Sequence, residues 1–355
     1  MNEGNKRRNQ KRKNAMTRYK VRYDRILAAV LALAAVSVVA SSCVNGLIGN
    51  KNNKSDSGDV QSSTAATSQS TIVDNLDPKD ENVPVITQTK PTEEEETTDV
   101  SKKYSSKSVS NDDIYKGDLI LINSENPYKF PENDTDVVTM FDHIDTSCIS
   151  VCDLVTKLDS KVIEQLNALF KGFIDEGNEN DITVIGAYRS FEEQNDKYYS
   201  GLSGFGGGYT DYHSARSFDI GIFPKDGSSS GYYSSVGNYA WIDENAADFG
   251  FILRFPDEKE EYTKERARTY TYRYVGIPHS VYIKQHDLCL EEYLKLLKDH
   301  NSSNPLEINV GADIYNVYYV PKGSGDTTEV PVPSGMDYTI SGDNSGGFIV
   351  SALMK

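Results

Sequence analysis

The segment from Ile182 to Ile220 limits the possible folds of this chain more than any other. It opens with the apolar run Ile182–Ile185, which is typical of a short β-strand. The run leads into Tyr188-Arg189-Ser190, and the residues from Phe191 to Tyr199 then predict a helix. A strand followed at once by a helix is typical of a mixed fold, and it places the Arg189 guanidinium at a strand end.

Helical and strand-like patterns alternate on both sides of this segment. Apolar residues recur at helical spacing from Val162 to Phe173, and Gly177 stands where such a helix should end. Further elements are predicted at Gly117–Pro127 (strand and turn), Glu244–Phe249 (helix), Gly250–Arg254 (strand) and Leu290–Leu297 (helix). We therefore expect an α+β fold, in which residues 114–300 form a single mixed domain with a small antiparallel sheet flanked by helices.

The pattern changes again beyond Asn304. Short β-rich runs are separated there by Gly, Asn, Asp and Pro, which predicts a small β-rich C-terminal module over residues 304–355. This part of the sequence offers neither paired acids, nor a nucleophile with a base, nor the spacing of metal ligands. We expect it to serve in packing or surface contact.

The N-terminal residues indicate export. Residues 1–25 contain ten Lys and Arg, and residues 26–44 are uncharged and rich in Ala, Val and Leu. Such a run is about long enough to cross a bilayer, and the preceding cations favour a cytoplasmic tail followed by a transmembrane signal anchor. Small residues before Cys43 leave a cleaved signal peptide as the alternative. The predicted location is the cell membrane, in a single pass, with the C-terminal domain extracellular.

Residues 45–113 have the composition of a disordered extracellular linker. They are rich in Ser, Thr, Asp, Asn, Glu and Lys, and they contain too little apolar surface to fold. The whole chain has a net charge of −16, and residues 1–25 carry +8, so the exported part carries −24. This acidity argues against a nucleic-acid partner. Four cysteines are too few for a disulfide framework.

Four ordered segments resemble the D-alanyl-D-alanine carboxypeptidases of the VanY type, which are zinc peptidases that trim peptidoglycan stem peptides. These segments are GAYRSFEEQ (186–194), TDYHSARSFDI (210–220), WIDENAADFGFILRFP (241–256) and YRYVGIPHS (272–280), with LCLEEYL (288–294) in support. The resemblance covers residues 117–297. It implies a carboxypeptidase-like domain at residues 114–300, with a peptidoglycan stem peptide as its partner.

The resemblance also implies a substrate cleft around Arg189. In the family a strand-end arginine steadies the substrate carbonyl and its tetrahedral oxyanion. An arginine suits this role because its guanidinium stays charged and offers a fork of donors. Gln194 matches a family position, and Thr210 fills the place of a substrate-binding serine. Gln194, Thr210 and Tyr212 are the implied substrate-binding residues.

The zinc ligands of the family are implied only in part. The pattern SxHxxGxAxD places Tyr212 at the histidine and Asp219 at the aspartate. His213 is adjacent, but neighbouring strand residues point to opposite faces, so His213 would need a local bulge to serve as a ligand. The EPWH segment, which normally gives the catalytic Glu and the third ligand, falls on residues 268–271, which are Arg-Thr-Tyr-Thr. The general base is therefore not identified.

His279 is the remaining candidate for a third ligand. Catalytic zinc needs three protein ligands and an open position for water. Here only Asp219, His213 and His279 could supply them. His279 follows Pro278 at the start of a predicted helix, where packing or capping is the alternative role. Zinc is the expected cofactor if the site is active, and otherwise the site is expected to work without a cofactor.

Three hypotheses for function remain open after the sequence is considered. The first is an impaired or non-catalytic family member that keeps the cleft and binds stem peptides or another wall component. The second is an active zinc carboxypeptidase whose ligands have moved to His213, Asp219 and His279. The third is a wall-associated scaffold in which the acidic linker and the C-terminal β-rich module do the work.

Overall fold

The structure is a computed structural model that describes residues 103–132 and 136–354. All of them belong to one compact unit, Asp99–Lys355. The predicted tail (1–25), the predicted anchor (26–44) and nearly all of the predicted linker lie outside the described residues. Among the residues that are described, no helix is both long and apolar enough to cross a bilayer.

The described part of the chain contains fourteen strands and six α-helices, joined by turns and short 3-10 helices. The strands are β1 Tyr104–Ser110, β2 Val137–Thr139, β3 Ser150–Val151, β4 Lys157–Asp159, β5 Ile182–Gly186, β6 Ser217–Ile222, β7 Gly231–Tyr232, β8 Phe251–Phe255, β9 Arg268–Tyr274, β10 Leu306–Val310, β11 Asp313–Pro321, β12 Thr327–Pro333, β13 Tyr338–Gly342 and β14 Gly347–Leu353. The α-helices are α1 Ser160–Asp175, α2 Phe191–Tyr199, α3 Ala240–Asn245, α4 Glu260–Thr263, α5 His279–Gln285 and α6 Leu290–Leu297.

A six-stranded sheet carries the residues of the proposed cleft. Its main strand order is β3-β5-β6-β9-β8, and β7 also pairs with β6. Only the β3–β5 pair is parallel, and the other pairs are antiparallel. The register places Asp219 of β6 opposite Gly186 of β5 on one side and opposite Thr271 of β9 on the other. Three segments that are distant in sequence thus meet at Asp219.

Helix α1 covers this sheet and forms the first hydrophobic core with it. The side chain of Asp159 caps the helix by accepting a hydrogen bond from the Lys161 amide. Its apolar residues lie on one face, as their helical spacing predicts, and they are buried against β5 and β6 together with Val184 and Ile220. Gly177 follows the helix with a positive φ of 86°, a conformation in which a glycine is favoured.

The C-terminal strands form a second sheet with the order β10-β11-β14-β13. One face of this sheet packs on α6, where Leu290, Tyr293 and Leu297 share a buried cluster with Val317 and Ile349. Strand β12 pairs separately with β1 in an antiparallel ribbon. The mixed α+β fold with a small sheet, flanking helices and β-rich C-terminal strands is confirmed.

Two expectations from the sequence differ from the structure. Strand β1 and the first residues of the 3-10 helix Asn111–Tyr115 lie within the predicted linker 45–113, so ordered structure begins earlier than expected. The polar sequence of β1 does not by itself predict a strand. The strand forms by antiparallel pairing with β12, which is distant in sequence. The strand predicted after Gly117 is also wrong. That segment is an irregular connection, and the buried Arg273 guanidinium binds the backbone carbonyls of Asp118 and Ile120 at 3.0 and 3.1 Å.

Candidate functional site

Arg189 lies between the end of β5 and the start of α2. Ser190 and Glu193 form a capping box that fixes the first turn of α2. The Arg189 guanidinium lies 3.9 Å from the centre of the Tyr212 ring, which is a cation–π contact. Its Nη1 also donates to Gln194 Oε1 at 3.2 Å. The arginine is thus held in place by two neighbours, while part of it remains exposed.

Asp219 is the centre of a compact hydrogen-bonded group. The Tyr212 hydroxyl donates to Asp219 Oδ1 at 2.6 Å, and the Thr271 hydroxyl donates to the same oxygen at 2.7 Å. Within the described part of the chain, no side chain or backbone group bonds to Asp219 Oδ2. A Cβ built on Gly186 would lie 3.2 Å from that oxygen, so the glycine leaves room beside it. Oδ1 is saturated, and Oδ2 stays available.

The burial of this group changes how it ionises. Asp219 is 8% exposed, and burial raises the pKa of its carboxyl. The bonds from Tyr212 and Thr271, together with the nearby charges of Arg189 and Arg268, act in the opposite direction. Burial and the Asp219 charge raise the pKa of Tyr212 well above its ordinary value. Tyr212 therefore acts as a neutral hydrogen-bond donor at physiological pH.

A buried ion pair fixes the segment that carries Tyr212. Tyr212 belongs to the 3-10 helix Asp211–Ser214. Asp211 is 2% exposed and accepts from Arg273 Nη1 at 2.6 Å, and the Ser217 hydroxyl donates to its other oxygen. Because burying one partner alone would leave an uncompensated charge, this pair strongly constrains the backbone next to Tyr212.

Arg268 stands where the resemblance predicts a catalytic glutamate. It pairs with Glu265 at 2.9 Å, and its guanidinium lies 4.0 Å from the centre of the Phe255 ring. Burial raises the pKa of Glu265, and the Arg268 charge opposes that rise. Glu265 is the nearest acid upstream in the sequence, and the structure engages it in a salt bridge. No general base is assigned.

Gln194 is fully buried and joins α2 to the following glycine-rich loop, residues 203–208. Its Nε2 donates to the Ser203 hydroxyl at 2.8 Å and to the Phe205 carbonyl at 2.7 Å, while its Oε1 accepts from Arg189. The Gln194 amide is thus engaged with protein groups on both sides. The structure supports a positioning role for Gln194, and direct contact with a substrate stays a prediction.

His213 is bound to two backbone groups. Its Nδ1 lies 2.6 Å from the Arg189 carbonyl oxygen, and its Nε2 accepts from the Gly208 amide at 2.9 Å. These bonds require a neutral ring with the proton on Nδ1. Burial lowers the pKa of His213, which agrees with that neutral form. Both ring nitrogens are therefore occupied by protein partners.

His279 is bound to the C-terminal half of the domain. Its Nδ1 lies 2.7 Å from the Tyr293 hydroxyl and its Nε2 lies 2.9 Å from the Ser351 hydroxyl. Burial lowers its pKa to about 4. The structure does not bring His279 together with Asp219 and His213. Thr210 is buried at the start of the 3-10 helix, and its hydroxyl makes no hydrogen bond within the described residues.

The residues around Asp219 do not fit a zinc ion. Catalytic zinc sites use nitrogen, sulfur or carboxylate ligands, with three from the protein. Here a single carboxylate is joined by two neutral hydroxyl groups that both donate to it. Among residues 103–132 and 136–354, no three His, Cys, Asp or Glu side chains lie where they could hold a metal ion together.

Thr271 and Lys197 are residues of this site that the sequence did not single out. Thr271 falls at the third-ligand place of the EPWH pattern, but a threonine there carries no signal until the β6–β9 register pairs it with Asp219. Lys197 lies on α2 three residues after Gln194. Burial and the nearby Arg189 charge lower its pKa, and the carboxylates of Glu193 and Asp219 oppose this. The i, i+3 spacing from Gln194 was the only available signal for Lys197.

Comparisons with known proteins identify sequences that resemble this chain. The family model for VanY, D-alanyl-D-alanine carboxypeptidase, matches residues 155–277. A D-alanyl-D-alanine carboxypeptidase of Enterococcus faecium is 28% identical over 266 residues, covering 74% of this chain and 84% of the relative.

Two solved structures are also similar. The vancomycin-resistance D,D-dipeptidase VanXYg, in complex with a D-Ala-D-Ala phosphinate analogue, has a TM-score of 0.61 and 25% identity, covering 70% of this chain and 99% of that one. A VanY from a VanB-type resistance cassette, in complex with Zn(II), has a TM-score of 0.38 and 26% identity, covering 50% of this chain and 98% of that one. Residues 155–277 of this chain are therefore similar to the VanY family of D-alanyl-D-alanine carboxypeptidases.

Proposed function

We propose that this protein is an exported wall protein whose VanY-type domain binds peptidoglycan stem peptides and has impaired hydrolytic activity. The observation that carries the proposal is the pair of hydroxyl groups on Asp219 Oδ1. Tyr212 and Thr271 stand at two of the three positions that hold zinc in the family pattern. Because each presents a proton to Asp219, the group is complete without a metal ion.

The parts of the site that bind substrate in the family are better kept than the metal ligands. Arg189 remains at its strand end, and Gln194 holds it there through a 3.2 Å hydrogen bond. The Thr210 hydroxyl stands in the place of a serine. VanXYg, which shares the fold at 25% identity, binds a D-Ala-D-Ala phosphinate analogue. These features support a peptide ending in D-Ala-D-Ala as the ligand.

An active zinc enzyme with moved ligands would require large changes in this site. His213 would have to release both the Arg189 carbonyl and the Gly208 amide. His279 would have to release Tyr293 and Ser351 and leave the core between α6 and β14. Each step would leave buried polar groups without partners, at about 1–3 kcal/mol per group. This cost favours the binding function.

We also infer that residues 26–44 anchor the protein in the cell membrane with the VanY-type domain outside. The sequence of residues 1–44 supports this inference through its cation-rich start and the uncharged run that follows. Membrane fractionation and protease treatment of intact cells test it. We expect the protein to sediment with membranes and its C-terminal domain to be cleaved from outside.

The test of the binding function is calorimetric titration of the full-length protein with a stem pentapeptide ending in D-Ala-D-Ala, followed by an assay for released D-Ala with zinc added. We expect binding without release. Arg189→Ala should weaken binding by about tenfold or more, as for a charge-assisted hydrogen bond. The exposed Arg266→Ala is the matched control and should bind normally. Chelator-sensitive release of D-Ala by the wild-type protein would contradict the proposal.

A further inference from the structure

An open cavity of about 470 Å³ lies beside the glycine-rich loop, residues 203–208. Its walls come from the C-terminal half of α2, from that loop and from Ser124 in the connection after Gly117. The volume falls within the range of about 300–1,000 Å³ that is usual for small-molecule sites. Nine residues line the cavity, and none of the nine carries a charge. This lining suits a neutral ligand.

Three tyrosines give the cavity an aromatic surface. Tyr198 and Tyr199 end α2, and Tyr209 follows the loop. Their exposed fractions are 46%, 81% and 42%. The ring centres of Tyr198 and Tyr199 lie 5.5 Å apart, with an angle of 65° between the ring planes. A single exposed tyrosine is common on a protein surface, but three around one cavity offer a ligand several aromatic rings at once.

Hydrogen bonds hold the loop side of the cavity in place. The Asn195 side chain accepts from the Gly207 amide at 2.7 Å, and Gln194 Nε2 donates to the Phe205 carbonyl at 2.7 Å. A Cβ added to Gly207 would lie 2.6 Å from the Phe191 ring, so a glycine is required there. The loop is therefore arranged before a ligand binds, which lowers the entropic cost of binding.

The chemistry of the lining favours a sugar among neutral ligands. A sugar ring presents C–H groups with partial positive charge on its faces and hydroxyl groups around its rim. Tyrosine rings have negative faces that attract such C–H groups, and their hydroxyl groups donate and accept hydrogen bonds. The bases of a nucleic acid also stack on tyrosines, but their phosphates need cations. The lining of this cavity contains no cation.

The cavity is also connected to the proposed peptide cleft. Phe205 lines the cavity, and the Gln194 amide bonds both to the Phe205 carbonyl and to the Arg189 guanidinium, at 2.7 and 3.2 Å. One side-chain amide therefore joins the two regions. In the wall, a stem peptide is attached to an N-acetylated amino sugar. The acid group of that sugar forms the amide bond to the peptide, so the attached sugar is neutral, as the cavity requires.

We propose that this cavity binds an N-acetylated amino sugar of the wall glycan, with Tyr199 as its main stacking surface. The inference rests on the proposed function for the identity of the sugar, and it adds a second, uncharged binding site to the domain. The sugar ring lies against the tyrosine rings. Its acetamido group hydrogen-bonds to the backbone of the loop, which glycines leave open to close approach.

The test is calorimetric titration of the full-length protein with chitotetraose, the peptide-free tetramer of N-acetylglucosamine. We expect saturable binding. Tyr199→Ala should weaken it by about tenfold, as for the loss of one aromatic stacking partner. Tyr199→Phe keeps the ring and should retain most of the affinity. Cellotetraose, which has the same linkage but lacks the acetamido group, should bind more weakly. Equal affinities for the two sugars would overturn the assignment to amino sugars.

A matched control removes a tyrosine outside the cavity. Tyr262 on α4 has the same exposed fraction as Tyr198, 46%, and Tyr262→Ala should bind chitotetraose like the wild type. Because Tyr199 is 81% exposed, its replacement should leave the thermal melting temperature nearly unchanged. Unchanged chitotetraose binding in Tyr199→Ala would overturn the proposed site.

Parallel titrations with the stem pentapeptide separate this inference from the proposed function. If the pentapeptide binds and chitotetraose does not, the sugar site is wrong and peptide binding stands. If chitotetraose binds in a Tyr199-dependent way and the pentapeptide does not bind, the sugar site stands and peptide binding is wrong. If Tyr199→Ala weakens only pentapeptide binding, the cavity belongs to the peptide cleft and the sugar assignment is overturned.

Discussion

Single side chains explain why the site around Asp219 stays ordered without a second acid or a histidine. Tyr212 and Thr271 each place one hydroxyl on Asp219 Oδ1, at 2.6 and 2.7 Å. Each hydroxyl satisfies a buried acceptor that would otherwise cost free energy. The Arg189 guanidinium also lies over the Tyr212 ring, 3.9 Å from its centre. Tyr212 thus couples Asp219 to Arg189.

Asp219 should make the protein less stable at neutral pH than a neutral side chain of the same shape. Its pKa is raised by burial, so the folded state binds a proton more tightly than the unfolded state. The free energy of unfolding therefore falls as pH rises from the ordinary aspartate pKa through the raised value. We expect Asp219→Asn to be more stable at pH 7 by about 1 kcal/mol.

Urea unfolding at several pH values measures this effect. The advantage of Asp219→Asn over the wild type should shrink as the pH is lowered, because the wild-type carboxyl then becomes protonated. Asp248→Asn, at an exposed position, is the control and should show no such trend. A variant that is less stable than the wild type at pH 7 and equal to it at low pH would contradict the expected sign.

At the scale of elements, the start of α2 and the loop after it form one positioning unit. Gln194 connects Arg189 to Ser203 and Phe205. The Asn195 side chain accepts from the Gly207 amide at 2.7 Å, and His213 accepts from the Gly208 amide. The position of the Arg189 guanidinium therefore depends on the loop as well as on the helix.

Gln194→Leu should loosen this unit. The change removes the hydrogen bonds that the Gln194 amide makes with Ser203, with the Phe205 carbonyl and with the Arg189 guanidinium, so we expect the free energy of unfolding to fall by about 2 kcal/mol. Hydrogen exchange of the Gly207 and Gly208 amides should become faster. Glu192→Ala, at an exposed position on the same helix, should leave both properties nearly unchanged. Unchanged exchange in Gln194→Leu would show that the loop is held independently.

The elements whose signals are local were predictable from the sequence. Helices α1, α2 and α6 occur where spacing, caps and the following glycine indicate them, because those signals lie within a few residues of each helix. The connection after Gly117 was not predictable. Its apolar residues are buried as expected, but its carbonyls are bound by the side chain of Arg273, which is more than 150 residues away in sequence.

The site could be predicted in its parts but not in its arrangement. The position of Arg189 and the presence of Tyr212 and Thr271 at ligand places follow from aligned motifs. Their convergence on one oxygen of Asp219 depends on the register between β6 and β9, which no local pattern specifies. The occupation of both nitrogens of His213 depends on the loop conformation in the same way.

At the scale of the whole domain, His279 links the central helices to the C-terminal sheet. It begins α5, contacts Tyr293 of α6 and contacts Ser351 of β14. A neutral imidazole can donate through one nitrogen and accept through the other, so both hydroxyl contacts are compatible with the uncharged ring. A protonated ring would place an unpaired charge in this core.

This histidine should make stability depend on pH. Burial lowers the pKa of His279 to about 4 from an ordinary value of 6.5. The unfolded state therefore takes up a proton first, and stability is lost as pH falls from 6.5 toward 4. The loss due to this group is at most about 1.4 kcal/mol per pH unit.

Urea unfolding of the wild type and of His279→Gln across this pH range isolates the contribution of His279 to the pH dependence of stability. The variant should show a shallower dependence on pH, whatever its absolute stability. His286→Gln changes an exposed histidine on the same stretch of chain and should follow the wild-type dependence. Parallel curves for the wild type and His279→Gln would show that this histidine does not titrate differently in the two states.

The most direct measurement is the zinc content of the purified full-length protein, compared with that of the double variant Tyr212→His/Thr271→His. Both changed side chains already converge on Asp219, so the variant should acquire two nitrogen ligands and one carboxylate around a common point. We predict no stoichiometric zinc in the wild-type protein after dialysis against zinc, and about one zinc per chain in the double variant. About one zinc per chain in the wild-type protein would contradict the assignment of this site to metal-free binding.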